Sequence, residues 1–342
     1  MPKKKKKTFV KIYPELDLFG DPPKSNIPKL SPLLWTRQSA YGIEYTLNKF
    51  LFALSAGESA DVKEFYFESD RMDVWFPAIA RCALMGALLT GDLEWFDQVR
   101  NDVQSYGERA DVRFAKPAAE LVDAWLRGSL QVRVGYPEWL LKLEFSSLPD
   151  VWRFEAMRIA ATALSVCGSH VEAETAARLV LALPSSIQPF DEWKIPMALV
   201  CAQSSTARQD FDAARGWYRQ VVSFAEKNSI LFPILFGDLG LDFIRLAFCT
   251  DKASLFHRRI VSESTRLFDT FLAMRNRVYG KDAMCGLTRR EFEIAQMLSR
   301  KESYGQVAAQ LGVSVGRVRN LVSELYEKLS VHRRNELTTC VY

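Results

Sequence analysis

The chain has 342 residues, 48% of them hydrophobic and 25% charged, which excludes a disordered chain and predicts two or three soluble globular domains. Its net charge of +4 is unevenly placed. Lys3 to Lys7 supply five positive charges and residues 287–342 hold nine Lys/Arg against six Asp/Glu, which leaves residues 8–286 net negative at −4 and argues against a nucleic-acid surface there.

Residues 1–29 read as an unstructured arm, because the lysine run gives way to Pro14, Pro22, Pro23 and Pro28 with little periodicity. A solvated tail and a phosphate-binding arm both fit such a run of like charge. No signal peptide is read, since proline-rich and charged sequence follows the basic start in place of an apolar core.

Residues 30–249 carry a helical pattern with a weak internal repeat. Turn-like breaks occur at Ser55-Ala56-Gly57-Glu58, Leu89-Thr90-Gly91-Asp92, Leu126-Arg127-Gly128-Ser129, Val166-Cys167-Gly168-Ser169 and Arg208-Gln209-Asp210-Phe211, spaced 34, 37, 40 and 42 residues apart. That spacing is near the period of helix-hairpin repeats such as tetratricopeptides. The clearest units are Ala78 to Tyr106 and Val200 to Lys227, with Ala163 to Leu183 looser, and Phe211 to Tyr218 resembles the second helix of a tetratricopeptide unit. A single hairpin cannot bury its apolar face, so several must stack. The irregular spacing leaves a non-repeating all-helical domain as the alternative.

A stack of this kind offers a groove for a peptide, protein or small ligand, yet Trp75, Trp95, Trp125, Trp139, Trp152, Trp193 and Trp217 read first as fillers of helix interfaces. Acid pairs such as Asp97 with Asp102, or Glu172 with Glu174, read as solvated helix faces. No phosphate loop, dinucleotide fingerprint, H-E-x-x-H or G-x-S-x-G occurs, so no enzyme and no cofactor is expected. Cys82, Cys167, Cys201, Cys249, Cys285 and Cys340 form no C-x-x-C pair and no metal framework, and they fit buried thiols in a reducing cytoplasm. Cys285 is the one placed for redox access. Pro233, Asp238, Asp242 and Arg245 interrupt Ile230 to Phe248, which predicts a buried helix with no membrane span.

Residues 250–286 form the connection. Lys252 to Tyr279 reads as one long helix with Phe256, Ile260, Leu267, Phe271, Met274 and Val278 on an apolar face and Arg258, Arg259, Glu263 and Arg266 on a polar one. It can pack on the repeats or pair with a second copy. Gly280 to Gly286 reads as a short flexible joint.

Residues 287–342 speak most plainly. Thr288 with Glu291 and Ser303 with Gln306 are capping boxes, which start one helix over about Arg289 to Ser299 and a short second one. Gly312 can take the left-handed turn and Ser314 can cap a third helix running to about Leu329. Helix, tight turn and longer helix make a helix-turn-helix unit. At ~100° per residue, Val318, Val322, Leu325 and Leu329 form the inner stripe of the third helix, with Arg319, Asn320, Ser323 and Glu327 opposite and Arg317 and Lys328 beside them. Arginine can pair with a guanine edge and asparagine with adenine, while any basic group can hold phosphate.

Leu287-Thr288-x-Arg290-Glu291, Val307-Ala308-x-x-Leu311-Gly312-Val313-Ser314, Gly316-x-Val318-x-Asn320, Lys328-Leu329 and Arg334-x-Glu336-Leu337 together resemble the LuxR-type (GerE-like) DNA-binding domain without a gap. The resemblance implies that the third helix reads the major groove through Ser314, Arg317, Arg319, Asn320, Ser323 and Lys328, with Lys328 on phosphate. It also implies a pairing helix from Arg334 to Val341, with Arg334, Leu337 and Val341 at the dimer contact. Lys301 replaces a usual glycine, Gln306 a usual glutamate, Arg317 a usual threonine and Leu321 a usual histidine, and the last two predict an altered operator.

The fold expected is therefore all-α, a helical-hairpin, tetratricopeptide-like solenoid followed by a four-helix LuxR-type domain. The function expected is a cytoplasmic, sequence-specific transcriptional regulator. Its partners would be double-stranded DNA, a second copy of the chain, RNA polymerase as a further contact, and an unknown ligand or protein at the helical domain. The alternative is an adaptor that uses the four-helix unit for dimerisation or regulator binding.

Overall fold

The computed structural model describes residues 63–64, 66–67, 76–146, 148, 150–182, 194–228, 255–280 and 286–341. Among the described residues no strand occurs. From residue 76 the described helices are α1 (Phe76–Thr90), α2 (Leu93–Gly107), α3 (Ala115–Ser129), α4 (Glu138–Leu141), α5 (Asp150–Cys167), α6 (His170–Ala182), α7 (Lys194–Ala207) and α8 (Phe211–Asn228).

One turn design recurs through them. After α1, Gly91 takes φ +77°, its N–H donates to the Leu88 carbonyl at 3.3 Å, and the Asp92 N–H donates to the Ala87 carbonyl at 3.1 Å. The same pair of bonds recurs at Gln131 and Val132, at Gly168 and Ser169, and at Gln209 and Asp210. This is the Schellman motif, which satisfies helix-end carbonyls by one left-handed residue. Asp92 and Asp210 then cap the following helices by accepting from the amides of Trp95 at 2.9 Å and Ala213 at 3.1 Å. Stop and start signals are thus adjacent, which folds the chain back at once. Three of the sequence breaks coincide with these turns, while the break at Leu126 to Ser129 is the last turn of α3 and the chain reverses just after it at Gln131.

Packing follows the hairpins. α1 packs on α2, α5 on α6 and α7 on α8, while α1 also meets α3, α3 meets α5 and α5 meets α7. The odd-numbered helices form one layer. α4 is a single turn lying on α5, and its Trp139 indole donates to Glu120 of α3 at 2.7 Å. α1 is apolar almost all round and buries Phe76, Ile79, Ala83, Leu84 and Leu88, as an enclosed helix must. Trp95 is fully enclosed, and Trp125, Trp139, Trp152 and Trp217 pack against the cores.

Polar groups reinforce the layer. Arg81 of α1 and Arg158 of α5 share the Glu155 carboxylate, Arg158 at 2.5 Å. Burial lowers these guanidinium pKa values to about 10 and about 9, and in Arg81 the neighbouring Arg158 charge adds to the effect. Burial likewise pushes the Cys82 and Cys201 thiols up to about 12.

The connecting segment departs from expectation. It is two helices, α9 (Leu255–Arg266) and α10 (Phe268–Tyr279), with a break at Leu267. Leu267 is buried and the interruption is one residue long, since its N–H donates to the Glu263 carbonyl at 3.0 Å and its own carbonyl accepts from the Phe271 amide at 2.9 Å. α10 lies on α1 and α2. The arm of residues 1–29, the break at 55–58, Trp75, Trp193, residues 230–248, Cys249, Cys285 and the joint at 281–285 lie outside the described residues. No helix among the described residues is long and apolar enough to cross a membrane.

Candidate DNA-binding face

The last four helices are α11 (Arg289–Ser299), α12 (Tyr304–Leu311), α13 (Val315–Lys328) and α14 (Arg334–Val341). Both capping boxes form. Thr288 Oγ1 accepts from the Glu291 amide at 3.3 Å while the Glu291 carboxylate accepts from the Thr288 amide at 2.8 Å. Ser303 Oγ accepts from the Gln306 amide at 3.2 Å and Gln306 Oε1 from the Ser303 amide at 2.7 Å, so glutamine serves where a carboxylate is usual. Gly312, at φ +62°, ends α12, and two residues later Ser314 Oγ accepts from the Arg317 amide at 3.2 Å to start α13.

Burial divides α13 into two faces. Val318, Leu321, Val322 and Leu325 are buried, whereas Arg317, Arg319, Asn320, Ser323, Glu327 and Lys328 are exposed. Leu321 therefore belongs to the packed stripe, which corrects the expectation that its change from histidine alters what the helix reads. The signal was available: positions 318, 321, 322 and 325 follow the i, i+3, i+4, i+7 spacing of a buried face. Of the two departures, only Arg317 stands at the surface.

Among the described residues, nothing engages the side chains of Arg317, Arg319 or Asn320. Ser323 donates its hydroxyl to the Arg319 carbonyl at 3.1 Å, and Ser314 spends its hydroxyl on the cap. Lys328 is committed too. Its ammonium lies 2.7 Å from Glu291 Oε1 and 3.0 Å from Oε2, tying the end of α13 to the start of α11. Burial acts to raise the Glu291 pKa, but Lys328 and the Thr288 donors outweigh it and hold the carboxyl below its ordinary value.

Two of the expected pairing residues, Arg334 and Leu337, make contacts within their own unit. Arg334 donates to the carbonyls of Leu298 and Glu302, each at 2.7 Å, and so closes the end of α11. Leu337 is fully buried where α14 packs on α11. Arg333, Asn335 and Glu336 are the exposed residues near the start of α14, and Val341 is the last residue of that helix. Arg290, named from the sequence only as a motif residue, and Val315, not named there, are also exposed; an apolar group at the start of α13 can meet a thymine methyl.

Residues 286–341 match the GerE family model, described as bacterial regulatory proteins, luxR family. The four-helix unit is a LuxR-type helix-turn-helix domain. The match supports DNA binding and transcriptional regulation as its class of activity. No curated protein and no solved structure matches the chain. Within the LuxR-type domain, Lys301 holds φ +65°, a left-handed conformation that accounts for the glycine usual at this place. Gly312 meets the same requirement without a side chain.

Proposed function

We propose that the chain is a non-enzymatic, sequence-specific transcriptional regulator whose α13 enters the major groove. The observation that carries this reading is the exposed, unengaged row of Arg317, Arg319 and Asn320 opposite a fully packed stripe. Arg319 and Asn320 read base edges, and Arg317 takes either a base or a phosphate. Lys328 is chiefly a positioning residue, because its charge is shared with Glu291.

The active species on DNA is a dimer on a two-fold site, paired through the outward side of α14. The α1–α8 stack, tetratricopeptide-like in its hairpin order, receives a ligand or protein signal. Contact with RNA polymerase rests on the family resemblance alone.

Selection of bound sequences from random duplex by the full chain tests the reading. An enriched two-fold motif is expected, and Arg319→Ala and Asn320→Ala should each cost ~1–3 kcal/mol on that motif with little loss on random duplex. Lys328→Ala should weaken both alike. Absence of any enriched motif would overturn sequence-specific binding and leave the adaptor reading.

A further inference from the structure

The LuxR-type domain is held from behind. Phe292 of α11 is fully buried, with its ring 5.9 Å from Phe268 and 5.8 Å from Phe271, both on α10. The Arg275 guanidinium, also fully buried, lies 5.5 Å from the Phe292 ring and 5.7 Å from the Tyr279 ring. Arg289 of α11 donates to the Thr265 hydroxyl of α9 at 3.5 Å. Glu291, on another side of α11, meets Lys328 of α13, so α11 is clasped between the reading helix and α10.

α10 has a second face, turned the other way. Phe268, Phe271, Arg275 and Tyr279 lie within one arc at ~100° per residue, and Thr270 and Arg277 lie on the opposite arc. Arg277 pairs with Asp97 and donates to the Leu93 carbonyl at 3.1 Å, while Arg100 donates to the Arg277 carbonyl at 3.3 Å. Arg266, at the end of α9, reaches the Leu89 carbonyl at 3.4 Å. A Cβ on Gly91 would stand 3.3 Å from Thr270 Oγ1, so the left-handed turn of the first hairpin also supplies the close approach. α10 is thus keyed into the α1–α2 hairpin on one side and into the DNA-binding domain on the other.

We infer that α10 is a coupling element through which the α1–α2 hairpin sets the position of α13, so that a signal on the helical stack acts by moving the docked domain. The docking leaves Arg317, Arg319 and Asn320 exposed. Control is therefore of placement, which decides whether two copies can meet two half-sites at once, and the reading face is not covered. Interfaces of this kind transmit motion because packed side chains hold discrete arrangements. The inference concerns regulation of the proposed DNA-binding activity and rests on that reading for its biological consequence.

The test uses the full chain. Nitroxide labels are placed through Asn101→Cys on α2 and Glu324→Cys on α13, both exposed positions, in a background whose native cysteines are replaced. The unsubstituted coupling predicts one narrow distance peak. Arg266→Ala with Arg277→Ala cuts the outer ties, involves only partly exposed side chains, and should broaden that peak. On the selected operator, a half-turn insertion of about five base pairs between half-sites should lower wild-type affinity by roughly tenfold or more, and the double variant should lose much less of its own affinity. A broad peak in the wild type, or insertion tolerance equal in the two proteins, overturns the coupling. A narrow peak with no enriched operator would leave the coupling standing and reject the DNA-binding role, so the two failures are distinct.

Discussion

The helical stack and the LuxR-type domain reach the same secondary structure by different means. In the stack, α1 and α7 are apolar on nearly every side and gain their order from neighbours, with a Schellman turn and a single aspartate cap marking where each of two hairpins folds back. In the LuxR-type domain, short amphipathic helices carry reciprocal capping boxes and buried stripes of a few residues. A helix of eight residues such as α12 is too short to persist alone, so its ends and its packing must supply what length does not. Local chemistry thus defines the C-terminal helices individually, and tertiary burial defines the stack collectively. α10 belongs to both schemes, since its aromatic face meets α11 and its polar face, through Arg277, meets the α1–α2 hairpin.

Phe292→Ala should give the largest break in this comparison. If the domain were stabilised by its own helices alone, the substitution would resemble a surface change. Because Phe292 is enclosed by Phe268, Phe271 and Arg275, it should cost ~3–5 kcal/mol, the range of buried aromatic truncations. Urea unfolding followed by fluorescence checks this, and a loss comparable with Phe96→Ala in the stack would place α10 and α11 in one core. A loss under ~1 kcal/mol would return the domain to independence.

The difference also explains what could be read in advance. The bounds of α11, the two capping boxes and the Ser314 start were legible, because each depends on side chains within four residues of the helix end. The four turns near residues 91, 131, 168 and 209 were legible as a period but not as a mechanism, since Gln131 and Gln209 give no glycine signal for a left-handed turn. Phe292 was not legible, because an aromatic residue beside Glu291 on an amphipathic helix says nothing of partners as far upstream as Phe268, Phe271 and Arg275. Arg334 and Lys328 were assigned outward roles by resemblance, yet their bonds run to Leu298, Glu302 and Glu291 of the same unit. The break at Leu267 escaped for a related reason: the apolar stripe of 252–279 continues across it, and the two halves differ only in what they touch.

Acid should sharpen the comparison at a smaller magnitude. Each region contains a carboxylate serving basic partners, Glu174 for Arg178 at 2.7 Å and for Arg208 just after α7 in the stack, and Glu291 for Lys328 in the LuxR-type domain. Burial raises both pKa values, but the hydrogen-bonded cations outweigh it and hold both below the ordinary carboxylate value. A depressed folded-state value means that the stabilisation is complete above the unfolded pKa, about 4.3 for glutamate, and is lost as pH falls through the folded value. Urea midpoints should therefore fall in both regions below about pH 4. Glu291→Gln should flatten that slope in the LuxR-type domain alone, because glutamine can keep the capping box, as Gln306 does, while removing the charge that Lys328 requires. An unchanged slope would remove the Glu291 to Lys328 pair from the acid response.

The smallest expected effects compare the turns themselves. Gln209 at φ +63° and Lys301 at φ +65° hold a left-handed conformation that Gly91, Gly168 and Gly312 hold without a Cβ. A left-handed L residue costs roughly 1–2 kcal/mol, whereas glycine adds roughly 0.5–1 kcal/mol of unfolded-state entropy, so Gln209→Gly and Lys301→Gly should each stabilise by about 0.5–1 kcal/mol. Thermal melts of the two variants would show whether the gain is equal in both regions. A larger gain for Lys301→Gly would mean that the LuxR-type domain depends on its local turns more than the stack does, and a larger gain for Gln209→Gly would assign that dependence to the stack. Lys301 is exposed beside the helix-turn-helix, so operator affinity measured on the same variant separates turn strain from any use of its charge at phosphate. A stabilised Lys301→Gly protein with weaker binding and a shallower salt dependence would give that lysine a DNA contact, and one with unchanged binding would leave it as a turn residue that tolerates strain.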